Sequence, residues 1–253
     1  MKKILDRIFV DGLSGMAQGL FATLIIGTII QQIGTFAGGN IGDMIYLIGK
    51  MAAGLTGAGI GAGVARKLDA GHLVIVSAAV AGMIGAFAGS LRAGTLLSDG
   101  SLVLSGPGEP LGAFVAAYIA IELGILVSGK TRLDIILTPL VCIGAGSAVG
   151  LLVGPPISGF MAWLGSLINW GTEQQPFLMG IVVSVLMGMI LTLPISSAAL
   201  GVILNLSGLA AGAATIGCCC NMIGFAAASW RENKFSGFLA QGIGTSMLQV
   251  PNI

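Results

Sequence analysis

The chain has 253 residues, of which 55% are hydrophobic and only 8% are charged. A soluble domain carries roughly 25% charged residues, so this composition excludes a soluble enzyme. The formal net charge of +1 provides no basic surface for nucleic acid, and no nucleic-acid partner is expected. The apolar runs instead predict an all-α polytopic membrane protein whose main solvent is the lipid bilayer.

Apolar runs of membrane-spanning length follow one another along the chain. They lie near 12–34, 44–65, 73–91, 110–128, 133–153 and 176–195, and a Gly-rich apolar region at 196–229 and a last segment from 236 follow them. This order predicts about 7–8 transmembrane or re-entrant helical segments. The 42 glycines predict closely packed helices, some of them broken and rich in Gly and Pro.

Basic residues mark one side of this predicted topology. They precede the first span and follow the second and the fourth, as Lys2, Lys3, Arg7, Arg66, Lys67, Lys130 and Arg132. The positive-inside rule makes this side cytoplasmic, so we expect a multi-pass protein with a cytoplasmic N-terminus. On the opposite side, Trp163 and Trp170 suit a helix that lies at the bilayer interface.

The Gly-rich region is too short for two ordinary crossings. Pro194 and the "RENK" sequence at 231–234 both fall on the cytoplasmic side, and roughly 35 residues separate them. Two crossings would need about 40 residues and a turn. The sequence therefore predicts a re-entrant hairpin or two broken helices, with 205–221 as a re-entrant element beside a substrate path.

Glu122 is an ionisable residue inside the fourth span. An acidic side chain at such a depth is a functional hypothesis by default, because burying its charge in a bilayer is costly. Glu122 lies close enough to the cytoplasmic end of the span to reach Lys130 or Arg132 instead. The sequence leaves both interpretations open.

A polar cluster stands at the start of the sixth span, and further polar residues follow that span. Asn169 and Glu173 share one helical face at a spacing of four, and Pro176 disfavours a helical conformation for the residue before it. Neutral hydrogen-bonding groups with one carboxylate suit a sugar or another small polar solute, although a hydrated loop would also explain them. The candidate substrate-binding residues are Asn169, Glu173, Gln174, Gln175, Ser196, Ser197, Asn221 and Glu122.

Other motifs give no catalytic or metal centre. Cys142 and the run Cys218–Cys220 lack the spaced pairs and histidines of a zinc site, and packing between helices explains them. His72 is expected in a solvated loop, and a single histidine gives no catalytic triad. The Gly-rich "GAGIGAGVARK" lies inside an apolar helix and has no preceding strand, so it is not a phosphate loop. We expect no metal, no cofactor and no self-contained catalytic centre.

Several stretches resemble a known family. "GPGEPLGAFVAAYIAIELG", "SGKTRLDIILTPLVCIGAGSAVGLLVGPPISGFM", "LINWGTEQQPFLMGIVVSVLMGMILTLPISSAAL" and "GLAAGAATIGCCCNMIGFAAASWRENK" are similar to EIIC membrane subunits of the bacterial phosphoenolpyruvate:sugar phosphotransferase system. The resemblance begins near residue 40 and is strongest over 105–253. It implies a single EIIC-like transmembrane domain over 1–253. Members of the family continue with further spans, so the chain is expected to lack C-terminal spans.

The resemblance implies a sugar permease of the bacterial plasma membrane. Such a subunit binds a sugar and presents it to a separate cytoplasmic EIIB protein, whose phosphocysteine phosphorylates it, and the matching EIIA protein carries a phosphohistidine. The resemblance also favours a homodimer. Better-characterised EIIC proteins use a membrane Glu and a His near the sugar; Glu173 fits the first, whereas His72 lies outside a comparable motif. Two alternatives stay open: a non-transporting EIIC-like sensor or regulator, and an uncoupled or ion-coupled carrier of small solutes.

Overall fold

A computed structural model describes residues 7–98, 100–104, 106–192, 206, 208–244 and 246. The α-helices are α1 (Leu13–Leu20), α2 (Ile26–Ala37), α3 (Gly39–Gly54), α4 (Thr56–Lys67), α5 (His72–Ala86), α6 (Ala88–Arg92), α7 (Pro110–Val127), α8 (Asp134–Gln174), α9 (Pro176–Thr192), α10 (Gly208–Ala228) and α11 (Trp230–Leu239). Three π-helical segments, Arg7–Gly12, Phe21–Ile25 and Ala240–Gly244, continue neighbouring α-helices, and β1 (Leu97–Ser98) pairs antiparallel with β2 (Ser101–Leu102).

Most of these helices are apolar enough for a bilayer. Within the described residues, four are long enough to cross a membrane: Val10–Ala37, Pro110–Val127, Asp134–Ile157 and Gly208–Ala228. The pair α3 and α4 makes a fifth crossing if it is counted as one bent span, and α5 and α9 are shorter apolar helices. The prediction of an all-α polytopic membrane protein with broken helices is confirmed.

The contacts divide the chain into two compact units, Met1–Ser158 and Gly159–Ile253. The boundary falls inside the long helix α8, which contains Pro139, Pro155 and Pro156. The expected span at 133–153 and the expected interfacial segment after it therefore belong to one helical run. The single domain over 1–253 stays a prediction.

The first helical run of unit 1 comprises residues 7–37, from the π-helical segment Arg7–Gly12 to the end of α2. It packs antiparallel against α3 and α4 through facing glycines. A Cβ atom at Gly27 would lie 2.8 Å from the carbonyl oxygen of Gly49, so only glycine permits this approach of the two backbones. The facing pairs are Gly15 with Gly63, Gly19 with Gly59, Gly27 with Gly49 and Gly34 with Gly42. Close packing by glycine, expected from composition, is therefore concentrated along one helix pair.

This pair is interrupted in both helices at the same level. The expected span at 44–65 is observed as a bent pair, because α3 and α4 meet at Leu55 with a bend of 51°. The π-helical segment Phe21–Ile25 lies opposite this bend, where Thr23 contacts Gly59. Gly19 faces Gly59 on one side of the break, and Gly27 faces Gly49 on the other. Between these two contacts the first run advances by eight residues and the partner helices by ten, so the pairing shifts by two residues across the break.

The rest of unit 1 is a bundle of α4, α5, α7 and the first part of α8. Its core contains fully buried Ile60, Val64, Val74 and Ile121. The loops at 68–71 and 128–133 are adjacent, because a Cβ atom at Gly71 would lie 3.7 Å from Ser128 Oγ. The exposed basic residues at this end of the bundle are Arg66, Lys67, Lys130 and Arg132. The start of α7 lies at the other end.

In unit 2, α9 and α10 pack side by side in the same direction. The first turns of the two helices line one groove, Ser184 meets Gly217, and Gly188 meets Asn221. Residues 192 and 208 therefore lie at opposite ends of the pair. Residues 208–221 belong to one continuous helix of membrane-spanning length, so the expected re-entrant turn is not located within them.

Candidate functional site

The polar cluster predicted at 169–175 forms the junction between α8 and α9. Gln174 ends α8, Gln175 is not helical, and Pro176 begins α9. The backbone N–H of Gln175 donates to the Gly171 carbonyl at 3.2 Å, and its carbonyl accepts from the Met179 N–H at 2.9 Å. The expectation that Pro176 disfavours a helical conformation for the preceding residue is confirmed. Gln175 alone connects the two helices, so the cluster is located at this one-residue junction.

Exposure distinguishes the members of this cluster. Glu173, Gln174 and Gln175 are exposed, and Asn169 is half-buried. Thr172 is buried, with 4% of its surface exposed. Sequence reasoning missed Thr172, although a threonine beside Glu173 in a polar stretch was a visible signal. The junction presents one carboxylate and two amides at the protein surface, a set that can both accept and donate hydrogen bonds.

A groove of about 950 Å³ begins beside this junction, between α9 and α10. Its lining comprises Pro176, Phe177, Gly180, Ile181, Ser184, Val185, Gly208, Leu209, Gly212, Ala213 and Ile216. Ser184 is the one side chain of this set that carries a hydrogen-bonding group. The groove therefore offers an apolar surface, and any polar recognition near it depends on the junction.

A second polar cluster occupies the other half of α10. Ser246 donates a hydrogen bond of 2.5 Å to Asn221 Oδ1, and Ser229 donates one of 3.2 Å to Gln241 Oε1. Ser246 is fully buried and Gln241 is 4% exposed. These bonds join Asn221 on α10, and Ser229 between α10 and α11, to the chain that follows α11. Asn221 was expected from sequence, whereas its partner Ser246 was not.

The structure separates the two clusters along the helix pair. Gly188 faces Asn221 and lies twelve positions after Pro176, a rise of about 18 Å along α9. Glu173 and Asn221 therefore belong to opposite ends of the pair. One small solute cannot contact both at once, although the sequence had grouped them in one substrate path.

The remaining predicted residues lie elsewhere. Ser196 and Ser197 fall outside the described residues, as do Pro194 and Asn205. Glu122 belongs to unit 1, where its carboxylate accepts a hydrogen bond of 2.7 Å from Arg7. The alternative partners expected for it, Lys130 and Arg132, are therefore wrong. The hydrogen bond to Glu122 raises the pKa of Arg7, so this guanidinium stays charged.

Cysteine and histidine contribute no cluster of ligands. Cys142 is buried, Cys218 lies 3.7 Å from the Met187 carbonyl oxygen, and Cys219 and Cys220 are exposed. His72 is exposed at the first position of α5. Among the residues that the structure describes, no group of three or more His, Cys, Asp or Glu could hold a metal ion.

One comparison with known proteins gives a match. The family profile described as "Phosphotransferase system, EIIC" matches residues 10–253, which is nearly the whole chain. Comparisons with curated proteins and with solved structures give no match.

Proposed function

Because the chain belongs to the EIIC family of the phosphotransferase system, we propose that it binds and translocates a sugar for phosphorylation by a separate cytoplasmic EIIB protein. The family and the apolar helices establish a multi-pass membrane protein with a permease-type role in sugar transport. The observation that carries the finer proposal is the pair of polar clusters at the two ends of parallel helices α9 and α10.

The cluster at 169–175 is the proposed site where sugar first binds. Its exposed Glu173, Gln174 and Gln175 offer a carboxylate and two amides, which suit the hydroxyl groups of a neutral sugar. Under the positive-inside rule this junction faces the exterior, because it lies on the side opposite the basic loops of the predicted topology. We include half-buried Asn169 in the same site.

The cluster around Asn221 is the proposed place from which sugar reaches EIIB. Asn221 lies about 18 Å along the helix pair from the first cluster. It precedes the charged sequence at 231–234, which the same rule places in the cytoplasm. Ser196 and Ser197 stay in the proposal as residues of the path. A homodimer and a cytoplasmic N-terminus complete it.

The test is uptake of a panel of labelled sugars by vesicles that contain the full chain. Uptake is measured with and without phosphoenolpyruvate and the general, EIIA and EIIB phosphotransfer proteins. We expect one sugar to accumulate in phosphorylated form only when the complete relay is present. Accumulation of unmodified sugar without phosphoenolpyruvate would instead identify a carrier that works without phosphotransfer.

A second measurement tests sugar binding separately from sugar transport. Binding of the same panel to the purified protein is measured by thermal stabilisation, with folding checked by circular dichroism. If the folded protein binds no sugar and transports none, the permease proposal is wrong, and a sensor or regulator with an EIIC fold takes its place.

A further inference from the structure

Glu109 is a buried carboxyl at the beginning of α7, in unit 1. Only 8% of its surface is exposed. Its Oε1 accepts a hydrogen bond of 3.1 Å from the Leu111 N–H, so the side chain caps the helix. Pro110 occupies the first helical position, where a missing N–H does no harm. One carboxyl oxygen of Glu109 thus has a structural role.

The second carboxyl oxygen has no such role. Within the described residues, Glu109 Oε2 is buried and has no hydrogen-bond partner. The backbone here is held against the end of α5, because the Glu109 N–H donates to the Ala86 carbonyl at 2.7 Å and Gly108 lies against the Ala86 backbone. An ionised carboxylate held in this way loses water and gains only one donor in return, which is strongly unfavourable.

No cation in the described structure compensates for this burial. The helices packed around Glu109 are α5, α6, α7, the unit 1 part of α8, and α4, whose Gly57 lies against Ala86. Their ionisable residues are His72 on α5, Arg92 on α6, Tyr118 and Glu122 on α7, Asp134 and Cys142 on α8, and Arg66 and Lys67 on α4. His72, Asp134, Arg66 and Lys67 lie at the far ends of their helices, and Glu122 is paired with Arg7. Arg92 is exposed and forms no ion pair among the described residues. Burial raises the pKa of Glu109, and the hydrogen bond from Leu111 opposes that shift.

We propose that Glu109 is a proton-binding site: its carboxyl is neutral while the start of α7 packs against the end of α5, and it releases the proton when this junction opens to water. The neutral acid keeps one oxygen as acceptor for the Leu111 N–H and places a hydroxyl, rather than a charge, in the apolar junction. The proposal is independent of sugar transport, because it concerns the packing of unit 1.

The sign of the pH effect follows from the burial. A carboxyl whose pKa is raised in the folded protein binds its proton more tightly there than in the unfolded chain. Its contribution to stability is fully present below the ordinary carboxyl pKa, compared with high pH, where the group is ionised in both states. This stabilisation is lost as the pH rises through the raised pKa of the folded protein. Rising pH therefore favours opening of the junction at Ala86 and Glu109, at the end of the bundle opposite the basic residues.

The first test compares the pH dependence of unfolding for the full chain and for Glu109→Gln in detergent. In the window above the ordinary carboxyl pKa, we expect the folding equilibrium of the unsubstituted protein to weaken by up to about tenfold per pH unit relative to Glu109→Gln. Glu173→Gln, at an exposed carboxylate, is the matched control and should follow the unsubstituted protein. Equal pH slopes for the Glu109→Gln and unsubstituted proteins would overturn the proposal.

A second measurement does not depend on how well the variant folds. Infrared spectroscopy of the unsubstituted protein, at pH values above the ordinary carboxyl pKa, should show the C=O stretch of a protonated carboxylic acid, and this band should shift in D₂O. The band should disappear as the pH rises through the raised pKa of Glu109. A pH series in which every carboxyl is ionised as soon as the pH exceeds the ordinary carboxyl pKa would contradict the proposed proton.

Discussion

Arg7 Nε lies 2.7 Å from Glu122 Oε1, and 115 positions separate the two residues in the chain. Their side chains are 39% and 36% exposed, so water partly screens the pair. The contact fixes the beginning of the first helical run against α7. It gives Glu122 a structural partner within unit 1, whereas the other proposed sugar-binding residues that the structure describes lie in unit 2.

Substitution of Glu122 by Gln should affect folding more than sugar binding. Loss of this half-exposed ion pair should lower the free energy of unfolding by about 0.2–1 kcal/mol. A double-mutant cycle with Arg7→Gln, measured by denaturation in detergent, isolates the pair from other effects. A tenfold loss of sugar affinity without a change in stability would return Glu122 to the substrate site.

Glu173→Gln should weaken sugar binding and leave folding intact. Glu173 is exposed at the α8–α9 junction, so neither packing nor burial changes with the substitution. A hydrogen bond to a charged group contributes about 1.5–3 kcal/mol, which corresponds to roughly a tenfold to hundredfold change in the dissociation constant. Isothermal titration with the sugar found by the uptake panel measures it. Glu232→Gln, on exposed α11, is the control, and equal affinities for the two variants would remove Glu173 from the site.

Asn221→Ala and Ser246→Ala should act as one unit. Each substitution breaks the 2.5 Å hydrogen bond between them, so each should cost about 1 kcal/mol of stability, and the double variant should cost less than the two together. Thr215→Ala is a matched control on α10, because the Thr215 hydroxyl donates to the carbonyl of Ala211 in its own helix. Strictly additive effects in denaturation experiments would show that the bond contributes nothing.

Gly217→Ala should separate α9 from α10, whereas Gly212→Ala should not. A Cβ atom at Gly217 would collide with the backbone of Ser184, and overpacking of this kind costs about 1–3 kcal/mol. At Gly212, no described atom beyond the local helix backbone lies within 4 Å of such a Cβ, so alanine should stabilise the helix by up to about 1 kcal/mol. Thermal unfolding of the two variants tests the contrast, and similar midpoints would contradict the observed packing.

Much of the helical organisation could be predicted from the sequence because hydrophobic runs report burial in lipid or protein directly. The expected span at 110–128 is observed as Pro110–Val127, and the one at 176–195 begins at Pro176 as its proline indicates. The bend at Leu55 could not be predicted, because hydropathy remains high across it and the cause lies in the packing of two helices.

The site was only partly predictable for a similar reason. The residues at 169–175 are consecutive, so their proximity follows from sequence alone. The pairing of Asn221 with Ser246 and of Glu122 with Arg7 depends on tertiary contacts across 25 and 115 positions. Nor could sequence indicate that α9 and α10 run in the same direction, which places Asn221 far from Glu173.

The break at Leu55 and the π-helical segment Phe21–Ile25 together determine how unit 1 can deform. An intact helix resists bending through its regular hydrogen bonds, and both helices of this pair lose that regularity at one level. Beyond that level, the glycine contacts of Gly27 with Gly49 and Gly34 with Gly42 hold α2 and α3 together. We therefore expect the bending stiffness of the pair to be lowest at this level, and α2 and α3 to turn together about it. Spin labels on α2 and α3 would keep their separation from each other while their distances to α5 vary.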